Sequence, residues 1–263
     1  MFLGLRGKTA VVAAASKGLG YAIAHELAVE GASVVICARG EEALKAARER
    51  IAEDTGATIY GIAADLSRYE DVKRVANNAL KKLGRVDILI NNAGGPPAGP
   101  FESHDWSTWQ GAVDLTLRST VEMTRLVLPG MKERGWGRII NVTSMAAKQP
   151  VENLMLSNSI RAAVHGFDRT LANEVAEFGI TVNNLLPGYT RTERVESLAA
   201  STAKRDGIDQ SEVMKRFERD VPMKRLGEPE EFAALAAFLA SERASYITAQ
   251  SIAVDGGWIR ALM

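Results

Sequence analysis

The sequence has few of the residues that build disulfides, metal clusters and membrane spans. Its 263 residues include one cysteine, Cys37, and three histidines that lie far apart along the chain. A single cysteine cannot form an internal disulfide, which favours a reducing, cytoplasmic environment. Scattered histidines give no spacing typical of a metal site, so no metal is expected. No apolar run is long enough to cross a bilayer.

The chain also has no excess of either charge. Lysine plus arginine total 32, aspartate plus glutamate total 32, and the formal net charge at pH 7 is zero. Without a basic surplus or a polybasic run, neither nucleic acid nor a membrane surface is expected as a partner. A content of 46% hydrophobic and 24% charged residues is ordinary for a globular protein.

Short apolar runs rich in β-branched residues alternate with longer helical patterns. Because strands that are apolar on both faces need helices on both sides, this pattern predicts a parallel sheet between two helical layers. We expect one α/β domain over residues 1–263, a doubly wound Rossmann-type sheet whose ligands bind at the carboxyl ends of the strands. The predicted strands cover 9–14, 33–38, 57–64, 86–92, 137–144, 181–187 and 251–255.

The first strand-to-helix turn, "AAASKGLG" at 13–20, is rich in glycine. Gly18 and Gly20 would let the backbone approach a phosphate and let the next helix pack on its strand. That helix, predicted over 18–31, offers free N–H groups and a positive dipole end to a pyrophosphate. The turn alone is a weak signal, and its place after the first strand strengthens it.

The end of the second strand, "CARGEE" at 37–42, bears on the choice of nucleotide. In dinucleotide-binding folds an acidic residue here binds the ribose 2′-hydroxyl of NAD, whereas an arginine accommodates the 2′-phosphate of NADP. The chain has Ala38 and Arg39 at this point, and Lys17 in the first turn would face the same region. Two cations and no acid favour NADP(H) over NAD(H). The alternative is that both are solvated surface charges.

Five further segments follow the glycine turn in a familiar order: "ADL" (64–66), "NNAG" (91–94), "TVNNLLPGYTRT" (181–192), "RLGEPEEFAALAAFLAS" (225–241) and "YITAQSIAVDGG" (246–257). With this order and spacing, nearly the whole chain resembles the short-chain dehydrogenase/reductase family, in particular its 3-oxoacyl-(acyl carrier protein)-reductase-like members. The chain departs from that pattern at Ala14 and Ala249, where the family has glycine.

The resemblance implies a set of cofactor-binding residues. Asp65 would face the amino group of the adenine, and Pro187, Gly188 and Thr192 would border the nicotinamide. The full set is Ser16, Lys17, Gly18, Leu19, Gly20, Arg39, Asp65, Leu66, Asn91, Ala93, Gly94, Pro187, Gly188 and Thr192.

The catalytic positions implied by the resemblance are altered in this chain. Reduction of a carbonyl needs hydrogen-bond donors at the oxygen and a proton source. The family uses a tyrosine four residues before a lysine, whose charge lowers the tyrosine pKa, with a serine about thirteen positions earlier and an asparagine on the preceding long helix. The matching residues here are Ser157, Arg161, Ser144 and Asp114.

Of these four, only Ser144 keeps the family's residue type, although it could instead satisfy backbone groups at a strand end. Ser157 is a weak acid that could hold a water or a substrate hydroxyl. Arg161 retains the positive charge but effectively never deprotonates. We expect Asp114 to be a buried partner of a cation, with Arg161 as the candidate.

Another residue would then have to supply the proton. No tyrosine occurs between Tyr69 and Tyr189, and Tyr189 is the nearest phenol to the expected nicotinamide position. Packing at a loop hinge is the alternative role of Tyr189. His165, one turn after Arg161, is expected to be a satisfied helix histidine, and His104 is a minor candidate in a loop at the rim.

Two segments are expected to border the substrate. Residues at about 190–227 are helical in pattern and would form a lid, with Gly207 between two helices. The "GGPPAGP" run at 94–100 would be a stiff loop on the opposite rim. By resemblance, the protein would be a homo-oligomer, either a tetramer or a dimer.

The sequence supports two main hypotheses of function. The first is an NADP(H)-dependent oxidoreductase that acts on a small carbonyl or alcohol substrate with an atypical proton donor. The alternative is a catalytically inactive NADP(H)-binding regulatory or sensor protein. A lyase or isomerase that keeps the nucleotide as structure is a third, less favoured hypothesis. The fold does not choose among them, because function belongs to the site.

Overall fold

The computed structural model describes residues 2–262 and has a parallel sheet at its centre. The strands are β1 (Thr9–Val12), β2 (Ser33–Ala38), β3 (Ile59–Ala63), β4 (Ile88–Asn91), β5 (Gly137–Val142), β6 (Ile180–Pro187) and β7 (Ser251–Val254). They form one seven-stranded sheet in the order β3-β2-β1-β4-β5-β6-β7. Every neighbouring pair is parallel, which confirms the predicted doubly wound α/β fold.

Helices connect the strands and cover both faces of the sheet. They are α1 (Gly18–Val29), α2 (Glu41–Thr55), α3 (Tyr69–Leu83), α4 (Trp106–Ala112), α5 (Ser119–Arg134), α6 (Met155–Val175), α7 (Glu193–Asp206), α8 (Gln210–Asp220) and α9 (Pro229–Ala240). A π-helical turn, Val113–Arg118, joins α4 to α5. Among residues 2–262, no helix has the length and apolar character needed to cross a membrane.

Strand side chains alternate between two hydrophobic cores. Ala10 and Val12 of β1 pack with α1, α2 and α9, whereas Val11 packs with α3, α5 and α6 on the opposite face. All three residues are fully buried, because successive strand residues point to opposite faces of the sheet. The continuous apolar runs in the sequence are therefore the central strands of a three-layer structure.

Several strands are shorter than the sequence suggests. The first was predicted to continue to residue 14, but β1 ends at Val12 and Ala14 adopts a left-handed conformation with φ 49°. That conformation starts the turn toward α1. The third was predicted to begin at residue 57, whereas β3 begins at Ile59. The early end of β1 is the important shift, because it leaves Ala14 in the turn that precedes α1.

Helices α7 and α8 form a small helical pair with its own core. Val195, Ala199, Val213 and Phe217 are buried against one another in this pair. Gly207, with φ +66°, ends α7 and separates it from α8, as predicted. The pair occupies most of the segment at 190–227 that was expected to border the substrate.

Candidate active site

A cleft of about 1430 Å³ opens at the carboxyl ends of the central strands. This is where the doubly wound fold was expected to bind its ligand. The predicted site residues that line it are Ser16, Lys17, Gly18, Leu19, Arg39, Asp65, Leu66, Ala93, Gly94, Ser144, Ser157, Arg161, Pro187, Gly188 and Thr192. Gly20, Asn91 and Asp114 were also predicted to be site residues, but they are not among the residues that line the cleft.

The glycine turn has a geometry that suits close approach of a phosphate. Gly18 lines the cleft with φ +58°, and a Cβ added at Gly20 would lie 2.3 Å from the carbonyl oxygen of Ala14. Gly20 therefore allows α1 to pack against the turn instead of touching a ligand. Gly94, with φ +68°, has nothing within 4 Å of an added Cβ. The backbone is thus bare at both turns, as a bound nucleotide requires.

The two cations predicted to recognise a 2′-phosphate lie on the cleft, but their surroundings differ. Lys17 forms an ion pair with Glu193, the first residue of α7. Arg39 is exposed and has no ion-pair partner among residues 2–262. The contact between Lys17 and Glu193 joins the glycine turn to α7, which the sequence did not predict.

Asp65 also lines the cleft, and its carboxylate organises the loop after β3. Its Oδ1 accepts hydrogen bonds from the backbone N of Ser67 at 3.0 Å and from the Ser67 hydroxyl at 2.8 Å. Its backbone N donates to Asp71 Oδ2 at 2.8 Å. The loop is therefore held in place at the end of the cleft where β2 and β3 terminate.

Ser144 follows β5 and lies on the cleft. Its Oγ accepts a hydrogen bond of 3.1 Å from the backbone N of Ala146 and so caps the short helical turn Met145–Ala147. The capping role considered for Ser144 is therefore real. It uses the hydroxyl as an acceptor and leaves the O–H proton available to donate toward the cleft.

Ser157 lies on α6 and is 7% exposed. It lines the cleft with Ser144, and its Oγ makes no hydrogen bond to any residue within 2–262. A hydroxyl that is largely buried and faces a cleft is able to hold a water or a ligand group. Ser144 and Ser157 thus supply two hydroxyls to one end of the cleft.

Arg161 lies one turn along α6 from Ser157 and is bound by backbone carbonyls. Its Nη1 donates to the carbonyl oxygens of Val142 at 2.9 Å and Thr143 at 2.6 Å, and its Nη2 donates to that of Gly94. Its Nε is buried and has no hydrogen-bond partner among the described residues. Burial lowers the pKa of Arg161 to about 10, and the nearby positive charge of Arg194 adds to this. The group remains a cation at neutral pH.

Asp114 does not pair with Arg161, so that prediction was wrong. Its Oδ1 accepts a hydrogen bond of 3.0 Å from Gln110 and lies 3.3 Å from Nη1 of Arg118. Both partners are one turn away in the same helical segment. The physical reason is local: Arg118 is the nearer cation, and the carbonyls of Val142, Thr143 and Gly94 already occupy the guanidinium of Arg161.

Asn91 belongs to a buried polar chain behind the cleft. Its Nδ2 donates to Asn141 Oδ1 at 2.7 Å and to Thr124 Oγ1 at 3.3 Å. Asn141 in turn donates to Asp168 Oδ1 at 2.7 Å. Burial raises the pKa of Asp168 to about 8, partly offset by this hydrogen bond. The sequence analysis missed Asp168, although a charge two helical turns after Arg161 on a buried face was a usable signal.

Of the alternative proton donors, Tyr189 packs against an aromatic ring and His165 is hydrogen-bonded. Tyr189 lines the cleft, but its ring stacks on Phe217 with centroids 4.3 Å apart, and burial raises its pKa to about 12. His165 Nε2 lies 2.9 Å from Thr143 Oγ1, and burial lowers its pKa to about 4. His104 is not among the residues that line the cleft.

Arg194 is a cleft residue that the sequence analysis did not single out. It is the second residue of α7, and its Nη2 donates to the carbonyl oxygen of Pro96 at 3.0 Å. Burial lowers its pKa. The available signal was its position two residues after Thr192, within the segment already assigned to the nicotinamide end. The contact with Pro96 connects α7 to the loop on the other rim.

A parallel sheet of this order, with a bare glycine turn and a cleft at the strand ends, defines a nucleotide-binding protein of the Rossmann type. The family model described as "Enoyl-(Acyl carrier protein) reductase" matches residues 13–259. The chain belongs to the short-chain dehydrogenase/reductase family of oxidoreductases.

Individual relatives match over nearly their whole length. The chain is 32% identical to "NADPH-dependent reductase BacG" of Bacillus subtilis, over 97% of this chain and 99% of the relative. It is 32% identical to "D-beta-hydroxybutyrate dehydrogenase" of Cupriavidus necator over the same shares. The crystal structure of L-sorbose reductase from Gluconobacter frateurii, complexed with NADPH and L-sorbose, superposes with a TM-score of 0.94 at 35% identity and covers 100% of both chains.

Proposed function

We propose that the protein is an NADP(H)-dependent oxidoreductase that transfers a hydride between the nicotinamide and a small carbonyl or alcohol substrate. The observation that carries this proposal is that Ser144, Ser157 and Arg161 line the same cleft as the glycine turn. The names of its relatives support it, since they include an NADPH-dependent reductase, a hydroxybutyrate dehydrogenase and a sugar reductase.

The residues of the cleft fit a dinucleotide along its length. The pyrophosphate would lie on the bare turn at Gly18 and the N-terminus of α1. Lys17 and Arg39 would meet the 2′-phosphate, which is the basis for preferring NADP(H) over NAD(H). The adenine would lie by Asp65 and Leu66, and the nicotinamide by Pro187, Gly188 and Thr192. When bound, the nicotinamide would supply or accept the hydride.

The proton would reach the substrate by a route that uses no phenol. The Ser144 hydroxyl would donate a hydrogen bond to the substrate oxygen and stabilise the charge that develops there. Ser157 would hold a water that gives its proton to this oxygen, and the hydroxide left behind would exchange with solvent. Arg161 would act as a fixed positive charge beside the site, because a guanidinium does not release its proton at neutral pH.

The segment at about 190–227 is proposed to act as a lid. Two contacts support this assignment: Lys17 with Glu193 reaches the glycine turn, and Arg194 with Pro96 reaches the loop on the opposite rim. Both would have to open for a ligand to enter or leave. We further propose a cytoplasmic location and a homo-oligomeric state, the latter by analogy with the family.

One observation favours a second candidate, an inactive NADP(H)-binding sensor. The guanidinium of Arg161 is tied to three backbone carbonyls, of Val142, Thr143 and Gly94, instead of being free to contact a ribose. In this form the residue stabilises the end of the sheet whether or not any reaction takes place. We call these three hydrogen bonds the Arg161 clamp. A sensor would keep the clamp and the nucleotide cleft, and it would not need the hydroxyl of Ser144 or of Ser157.

Nucleotide titration followed by a carbonyl panel separates the two candidates. The purified protein is titrated with NADPH and NADH by fluorescence, and oxidation of NADPH is then followed with sugar ketones, oxo acids and neutral ketones. We expect NADPH to bind at least tenfold more tightly than NADH, with turnover of one class. Binding without turnover across the panel would favour the sensor, and failure to bind either nucleotide would contradict both candidates.

Two serine variants test whether Ser144 takes part in the reaction. Ser144→Ala should lower kcat by about a hundredfold or more, the usual effect of removing a donor to a developing oxyanion, and leave NADPH affinity unchanged. Ser159→Ala is the matched control, since Ser159 is exposed two residues after Ser157 on the same helix. Equal rates in both variants would contradict the role of Ser144.

A further inference from the structure

Arg194 gives the cleft a guanidinium that the proposed chemistry does not use. Arg194 is exposed at the cleft, and one hydrogen bond from its Nη2 to the Pro96 carbonyl fixes it. Its Nη1 and Nε donate to no residue within 2–262. Guanidinium N–H groups that have no protein partner can donate charge-assisted hydrogen bonds to a carboxylate.

The loop after β4 is shaped around this side chain. A Cβ added at Gly95 would lie 3.0 Å from Nη2 of Arg194 and 3.2 Å from its Cζ and Nε. The guanidinium thus lies flat against the Gly95 backbone, where a larger residue would displace it. The adjacent Gly94 accepts the hydrogen bond from Arg161, so one short stretch of loop holds both guanidinium groups.

Neither guanidinium is neutralised. No carboxylate of residues 2–262 lies within ion-pair distance of Arg161 or Arg194. The acids that line the cleft are Asp65, at the far strand ends, Glu193, which pairs with Lys17, and Glu230. Arg161 also has its buried Nε without a partner. Arg161 is buried, and the charge of Arg194 is near enough to lower its pKa, so an anion between the two guanidinium groups would offset their repulsion.

We propose that Arg194, with Arg161 as a second fixed charge, binds the carboxylate of the substrate, so that the substrate is a small oxo acid or hydroxy acid. This inference rests on the proposed oxidoreductase function and names the substrate class of the same site. The carboxylate lies on the outer N–H groups of Arg194. The carbonyl or hydroxyl of the substrate then faces Ser144 and Ser157.

The phosphates of the nucleotide are the other source of anionic oxygens. Other parts of the cleft suit these phosphates better. The turn at Gly18 and the N-terminus of α1 suit the pyrophosphate, and the exposed Arg39 suits the 2′-phosphate. Arg194 lies beyond Thr192, and its one fixed contact is with the loop after β4. Its free N–H groups are therefore assigned to the substrate.

Malonate is a suitable probe, because it carries carboxylates and cannot be reduced. Its binding to the complex of the protein with NADP⁺ is measured by calorimetry, with malonamide as the neutral comparison. NADP⁺ fills the phosphate subsites and leaves the substrate end open. Three variants are compared: Arg194→Gln, Arg194→Lys, and Arg205→Gln as the matched control, since Arg205 is on α7 and pairs with Asp206.

We expect malonate, and not malonamide, to bind the wild-type complex. Arg194→Gln should raise the Kd for malonate at least tenfold with NADPH affinity changed by less than twofold, and Arg205→Gln should leave both unchanged. Arg194→Lys should restore part of the affinity, which separates lost charge from lost folding.

Several results would overturn the inference. If NADPH binds but malonate does not, the substrate class is wrong while the proposed function stands. An equal loss of NADPH and malonate affinity in Arg194→Gln would assign Arg194 to the phosphates of the cofactor. Failure of the wild type to bind NADPH would contradict the proposed function itself.

Discussion

Arg161 is joined to Thr143 by a hydrogen bond of 2.6 Å from its Nη1 to the backbone carbonyl oxygen. Thr143 directly precedes Ser144, so a residue on α6 fixes the backbone that presents a cleft hydroxyl. The same guanidinium also holds the carbonyl of Gly94, in the loop after β4. Arg161 thus ties the backbone at the end of β5 to the loop after β4.

This clamp makes a first prediction about stability. Arg161→Met should lower the free energy of unfolding by about 2 kcal/mol or more, because a buried carbonyl that loses its donor costs about 1–3 kcal/mol. Arg161→Lys should recover only part of the loss, since one ammonium group replaces two diverging nitrogens. Urea unfolding measures both variants.

Arg125→Met provides the control for the clamp. The Arg125 side chain is 71% exposed on α5, and its nearest acid, Glu122, lies 4.0 Å away. Its removal should change the unfolding free energy by less than about 0.5 kcal/mol, as exposed ion pairs contribute little. Equal unfolding midpoints for the Arg161 and Arg125 variants would show that the carbonyl contacts do not support the sheet.

The sequence could predict the sheet and its turns because their causes are local. Apolar runs between helical patterns require burial on both faces, and glycine is required where Gly18 and Gly94 have positive φ. Partners of long side chains depend on distant segments and chosen rotamers. For this reason the sequence did not predict that Asp114 pairs with Arg118 instead of Arg161. The contact of Arg194 with Pro96 could not be inferred either.

Asp168 makes a second prediction, about pH. Its pKa is raised to about 8, chiefly by burial, so the folded state holds its proton more tightly than the unfolded chain does. That contribution to stability is complete below about pH 3.8 and is lost as the pH rises through about 8. The wild type should therefore lose stability between pH 7 and pH 9, and Asp168→Asn should lose less.

The range from pH 7 to pH 9 lies above the titration of His165. Its pKa is lowered to about 4 from 6.5, so its effect on stability is confined to lower pH. Thermal unfolding at pH 7, 8 and 9 measures the difference between the wild type and Asp168→Asn. Parallel curves for the two proteins would show that Asp168 titrates alike in the folded and unfolded states.

A third prediction concerns the phenol at the cleft. Tyr189→Phe should keep kcat within about twofold, because a hydroxyl whose pKa is raised to about 12 is a poor proton donor near neutral pH. The phenylalanine ring can keep the stacking on Phe217. Steady-state rates with the substrate class identified by the panel measure the effect. A loss of rate of a hundredfold with unchanged NADPH affinity would instead make Tyr189 the donor.

The last prediction concerns the ion pair between Lys17 and Glu193, which joins the glycine turn to α7. Glu193→Gln should tighten NADPH binding several-fold, since it leaves the charge of Lys17 free for the 2′-phosphate. NADH has no such phosphate, and its affinity should change little. The gain should shrink at high salt, because both side chains are about two-thirds exposed.

Glu196→Gln is the control for this ion pair, because Glu196 is an exposed acid one turn further along α7 and has no ion-pair partner among residues 2–262. Fluorescence titrations with both nucleotides, at low and high salt, compare the two variants. An equal gain for NADH and NADPH in Glu193→Gln would show that the pair only gates the cleft. A gain confined to NADPH would place Lys17 at the 2′-phosphate and account for the nucleotide preference.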